Sequence, residues 1–129
     1  AVLAAQAMGA DLAYIGSAFI ATNEANADQR YKEMITTSSA DDIIYTNLFT
    51  GVHGNYLKGS IEAQGLDPNN LEVSDSSQMN FSSGASKPKS WKEIWGSGQG
   101  ISAVKSILPT SELVKRLNLE YIEAKNNLI

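Results

Sequence analysis

Gly16-Ser17, with Ala18 beside them, is the pattern in this chain best suited to holding a charged ligand. Residues 11–15 (DLAYI) read as a short buried strand ending at Gly16. A glycine directly after a strand lets the backbone approach a ligand closely. Consecutive N–H groups at the start of the following turn, aided by the helix dipole, suit a phosphate. A plain strand-to-helix turn of any α/β protein has the same pattern, so the pattern alone leaves both readings open.

Few other residues offer chemistry. His53 is the single histidine, and an unperturbed imidazole titrates near neutrality, as a general base should. It sits between Gly51 and Gly54, where a solvated or locally hydrogen-bonded loop histidine is expected. With no cysteine there is no thiolate nucleophile, no disulfide and no sulfur ligand. One histidine and scattered carboxylates predict no metal site. Asp41-Asp42 reads as a helix cap or solvated turn. Glu112, Glu120 and Glu123 alternate with Lys115, Arg116 and Lys125 as on a solvated helix face. Tyr45, Phe49, Trp91 and Trp95 could wall a ring-shaped ligand, but aromatic residues in such a chain more commonly build core.

The elements that must position these residues follow from periodicity and turn chemistry. Residues 1–8 are rich in Ala, Leu and Met and predict a helix, ended by Gly9. Residues 18–21 continue Gly16-Ser17 as an apolar turn or short helix. Residues 26–37 have amphipathic spacing, with Tyr31, Met34 and Ile35 inward. Residues 43–49 (IIYTNLF) read as a strand. Residues 55–64 read as a helix ended by Gly65, with Tyr56, Leu57 and Ile61 inward. Residues 66–90 are dense in Ser, Asn, Asp, Gly and Pro and read as a long loop or flap, of the kind that gates many active sites. Residues 91–95 resume helical character, placing Trp91 and Trp95 on one face. An apolar run over 101–108 stops at Pro109. Thr110 or Ser111 then caps a final amphipathic helix carrying Leu113, Leu117 and Tyr121.

Composition sets the class. The chain has 129 residues, 43% hydrophobic and 19% charged, as one ordinary folded domain has. A net charge of −4 supplies no basic stripe for phosphate backbones, which argues against a nucleic-acid partner. Asp11 interrupts the apolar start, so no membrane span is expected. The absence of cysteine is compatible with a reducing, cytoplasmic setting. The chain opens within a predicted helix and without Met, which reads as a portion of a longer protein.

The run AAQAMGADLAYIGSAFIATNEA resembles the final phosphate-binding segment of the nitronate monooxygenase family, formerly called 2-nitropropane dioxygenases. WKEIWGSGQGIS resembles the family's Gly-Gln-Gly region, and YTNLFTGVHGNYLKGSI with SDSSQMNF looks like a bacterial branch of it. The resemblance spans essentially the whole chain. It implies an α/β fold, the C-terminal part of a TIM (β/α)8 barrel with appended C-terminal helices, over residues 1–129. Residues 12–15 would be the final barrel strand and IIYTNLF an appendage strand. FMN is the implied cofactor. Gly16, Ser17 and Ala18 match the positions that hold its phosphate through N–H groups and a hydroxyl; Ser17 replaces the commoner Thr. Gln99 falls in the loop that lies near the flavin ring. The second phosphate loop and the catalytic histidine belong upstream of Ala1, so no catalytic residue is assigned here. The implied substrate is a small nitronate or nitroalkane, with O2 as oxidant, in a possible homo-oligomer. Two alternatives remain at this stage: an enoyl-reductase-like FMN barrel, and a non-catalytic phosphate-ligand-binding module.

Overall fold

The computed structural model describes residues 1–74 and 92–128. Helix α1 (Val2–Ala7) ends where Gly9 turns left-handed at φ 99°, a conformation that costs glycine nothing. Helix α2 (Ser17–Ile20) is one turn long and starts at Gly16. Helix α3 (Gln29–Thr37) begins three residues later than its sequence pattern does, because Asp28 caps it by accepting from the Arg30 N–H at 2.8 Å. A 3₁₀ turn (Ala40–Asp42) follows, closed by a capping box between Ser39 and Asp42.

Strands β1 (Ile43–Thr46) and β2 (Gly54–Leu57) form an antiparallel ribbon, the only sheet among the described residues. Its register pairs Ile43 with Leu57 and Ile44 with Tyr56. Side chains alternate across a strand, so the ribbon presents apolar side chains on both faces and packs each against a different core, leaving Tyr45 exposed. Ile43 and Leu57 join one core with Ala21, Ile35, Ile101 and Val104. Ile44 and Tyr56 join a second with Phe49, Ile61 and Ile94, where Phe49 meets Tyr56 edge-on at 5.1 Å. Helix α4 (Lys58–Ala63) continues from β2 and ends before Gly65, at φ 78°. A second 3₁₀ turn (Gln99–Ala103) leads to helix α5 (Thr110–Asn127).

Four expectations are corrected. Residues 11–15 form no strand: Asp11 lies in a bend, residues 12–15 pair with no strand among the described residues, and Leu12 and Tyr14 are 90% and 102% exposed rather than buried. A strand needs a paired neighbour, and the one sheet among the described residues, β1 with β2, does not include this segment. Residues 55–57 are strand, not helix, because pairing with β1 packs each face against a core. The strand read over 43–49 stops at Thr46, whose hydroxyl accepts from the Leu48 N–H at 3.2 Å and turns the chain. Trp95 is extended, not helical: its N–H donates to Ser60 Oγ at 3.0 Å and its carbonyl accepts from Leu57 N–H at 2.8 Å. Trp91 and residues 75–90 of the expected flap lie outside the described residues; residues 66–74 contain no helix or strand.

The final helix also differs in its cap. Neither Thr110 nor Ser111 caps it; Pro109 holds the N-cap position and makes no side-chain hydrogen bond. Instead Glu24 Oε2 accepts from Thr110 N–H at 2.8 Å and Thr110 Oγ1 at 2.7 Å. A carboxylate on the first-turn N–H of a helix is favoured by the dipole. Leu113 is buried, and Arg116 and Glu120 pair at 3.3 Å beside the space between α5 and α1. Tyr121 donates to Gln6, which ties α5 to α1.

Candidate flavin-phosphate site

The site begins at Gly16. Its backbone is ordinary right-handed, φ −101°, and a Cβ built there would meet nothing within 4 Å. The space beside it is open. Because α2 is a single turn, its leading N–H groups have no carbonyl one turn back. Those of Gly16, Ser17 and Ala18 donate to no backbone carbonyl among the described residues.

The Ser17 hydroxyl joins this turn to a distant loop. Its oxygen accepts from Gly98 N–H at 2.9 Å and from Ser97 Oγ at 3.3 Å. The turn and the loop are 81 residues apart in sequence. With both acceptor positions filled, the hydroxyl keeps its own proton to donate. Gln99 follows at the start of the 3₁₀ turn, exposed, and its side chain makes no hydrogen bond with a described residue. Thus Gly16, Ser17, Ala18 and Gln99 lie in two segments that touch.

That contact depends on how residues 95–98 are held. Trp95 is fixed to Leu57 and Ser60, and Ser97 N–H donates to Asn55 O at 3.1 Å. Tyr31 Oη donates to the Gly96 carbonyl, and its ring stacks on Trp95 at 5.1 Å and 18°. The Arg30 guanidinium lies 5.6 Å from the Trp95 ring centroid and reaches Glu93 at 3.3 Å. Burial pushes the Tyr31 phenol above its ordinary pKa, so the hydroxyl stays a donor. None of these partners of Trp95 was legible in the sequence, apart from the inward face that placed Tyr31.

A second lacing holds the far end of α2. Asn23 N–H donates to Leu108 O at 2.9 Å, and buried Lys32 reaches Asn23 O at 3.3 Å. Sequence reading missed Lys32, Glu24 and Ser60, because the partners are remote and no local pattern marks them. A cavity of about 460 Å³ lies between α1, residues 12–15 and α5, and touches the turn through Ala18.

The remaining candidates are not in the site. His53 is exposed and stacks on Tyr45 at 4.7 Å. Phe49 belongs to the second core, and Asp42 serves the capping box. No cluster of three or more potential metal ligands occurs among the described residues. No helix among them is long and apolar enough to cross a membrane.

The described residues form a small α/β piece whose fold is similar to part of a TIM-barrel protein. A solved FabK mutant from Thermotoga maritima superposes with a TM-score of 0.66 at 21% identity, over 98% of this chain and 38% of that one. The chain belongs to the nitronate monooxygenase family, whose model matches residues 1–120. A nitronate monooxygenase of Paraburkholderia phytofirmans is 28% identical over 92% of this chain and 34% of its own length. A probable nitronate monooxygenase of Staphylococcus haemolyticus is 25% identical over 99% of this chain and 36% of its own. The chain therefore spans about a third of the length of these curated relatives.

Proposed function

We propose that this chain is the C-terminal part of an FMN-dependent oxidoreductase that oxidises alkyl nitronates with O2. In this reading residues 12–15 form the last barrel strand, whose exposed Leu12 and Tyr14 lie against the rest of the barrel. The observation that carries the proposal is the hydrogen bond from Gly98 N–H to Ser17 Oγ. It brings the two family-like motifs together around an open space at Gly16.

The residues present suit a phosphate. Three leading N–H groups and the Ser17 hydroxyl sit on consecutive residues, and none has a carboxylate partner among the described residues. Bound FMN supplies the redox chemistry. Gly16, Ser17 and Ala18 would hold the phosphate end; Gln99, whose amide makes no hydrogen bond with a described residue, would serve the ring end. In this reading the proton acceptor belongs to the rest of the barrel; His53 stacks on Tyr45 and makes no contact with Gly16, Ser17 or Gln99 among the described interactions.

The test uses the full-length protein. Ser17→Ala removes one hydrogen bond to a charged group, about 1.5–3 kcal/mol, so the FMN Kd should rise roughly 10- to 150-fold. An unchanged Kd would overturn the site. Flavin binding without nitronate-dependent O2 uptake would instead point to the enoyl-reductase-like alternative. Failure to bind flavin at all would leave a phosphate-ligand-binding module.

A further inference from the structure

We infer that Tyr31 is a positioning residue for the flavin phosphate, acting through the Gly96 carbonyl on the Gly98–Ser17 contact. The inference rests on the FMN reading above. The run from Trp95 to Gly98 has a fixed partner for most of its peptide groups. Ser60 and Leu57 hold Trp95, Asn55 holds the Ser97 N–H, and Ser17 holds the Gly98 N–H. The Gly96 carbonyl has Tyr31 Oη as its partner. Gly96 is also exposed, and a glycine peptide has more conformations open to it than any other. The Gly96 carbonyl and the Ser97 N–H share one peptide plane, so without the phenol bond that plane keeps only its Asn55 anchor, and the Gly98 N–H in the next plane is held less firmly. Ser17 Oγ then has a looser donor, and its own proton is less firmly held toward the phosphate.

The phenol has two separable jobs. The ring stacks on Trp95 and packs on the first core, which serves stability. The hydroxyl makes one bond, to Gly96. Tyr31→Phe removes the second job and keeps the first. In the full-length protein, Tyr31→Phe should raise the FMN Kd about three- to tenfold, the size of one hydrogen bond.

Riboflavin lacks the phosphate, so its affinity should stay within about twofold of the unaltered protein's. A merely structural role would weaken both flavins alike, and that result would overturn the inference. Combining Tyr31→Phe with Ser17→Ala gives a second check. If Tyr31 acts through Ser17, the double variant should bind FMN no worse than Ser17→Ala alone, within about twofold. Losses that multiply would show that Tyr31 acts by another route and would refute the inference. Failure of the FMN reading itself looks different: Ser17→Ala would then leave FMN binding unchanged.

Discussion

Replacing Gly16 with Asp should separate folding from flavin binding, because the two respond in opposite directions. Gly16 sits at the N-cap of α2 with φ −101°, and an added Cβ meets nothing within 4 Å. No clash or backbone strain opposes the change. Gly16 is right-handed rather than extended, so no capping gain is expected of Asp, but losing glycine's freedom in the unfolded chain adds to stability. The flavin-free full-length protein should therefore melt at the same temperature or slightly higher. The phosphate meets the reverse. At a separation of about 5 Å, a carboxylate and a doubly charged phosphate repel by about 1.7 kcal/mol in water and about 6.6 kcal/mol at an effective dielectric of 20. The lower figure already weakens binding roughly 15-fold. Gly16→Asn adds similar bulk without the charge and should lose less. Flavin per chain after purification, with FMN titrations at low and high salt, measures both effects. An Asp variant that keeps its full flavin complement would refute the placement of the phosphate at Gly16.

The Glu24 clamp predicts a pH dependence. Hydrogen bonds from the Thr110 hydroxyl and N–H hold the Glu24 carboxyl below its ordinary 4.5. A lowered folded pKa gives stability that is present above the unfolded value and lost as pH falls through the folded one. Melting temperatures of the unaltered protein and Glu24→Gln should differ above about pH 5 and converge below the lowered pKa; a gap that persists in acid would show that the clamp is not ionic. His53→Ala should leave nitronate turnover in the full-length enzyme largely intact, since the ring is exposed and stacks on Tyr45. A collapse of the rate by about 10²-fold or more would make His53 the base.

Local chemistry was legible in the sequence, and lateral pairing was not. Gly9 and Gly65 end their helices as turn chemistry requires, and the inward face of α3 is read correctly from its period. The first turn of α2 follows Gly16-Ser17 as expected. Residues 55–57 misled because Asn55, Tyr56 and Leu57 also fit a helix face; only pairing with Ile43–Thr46 makes them strand. The alternation in IIYT, the turn residues around Gly51 and the return in GNYL carry a hairpin signal that was overlooked. Trp95 followed the same error, since its extended form is fixed by Leu57 and Ser60, more than 30 residues away in sequence. The candidate site was half legible. Gly16, Ser17, Ala18 and Gln99 could be named, but their meeting through Gly98 could not. The inward face marked Tyr31 as core but not as a partner of Gly96, and nothing local marked Glu24 as the partner of Thr110, because each acts on a carbonyl or N–H from a remote segment.

The Ser17–Gly98 bond has a consequence for the order in which the chain assembles. Closing a loop between residues 81 apart is entropically costly when nothing else is formed. Once Tyr31 has met Gly96, the path between the same two atoms runs through only about sixteen residues, and the cost of closure falls by about 1.4 kcal/mol. The cradle should then close more readily once α3 has captured the 95–97 segment. Slowing that capture should delay the appearance of flavin-binding competence during refolding while leaving the formation of helix signal untouched.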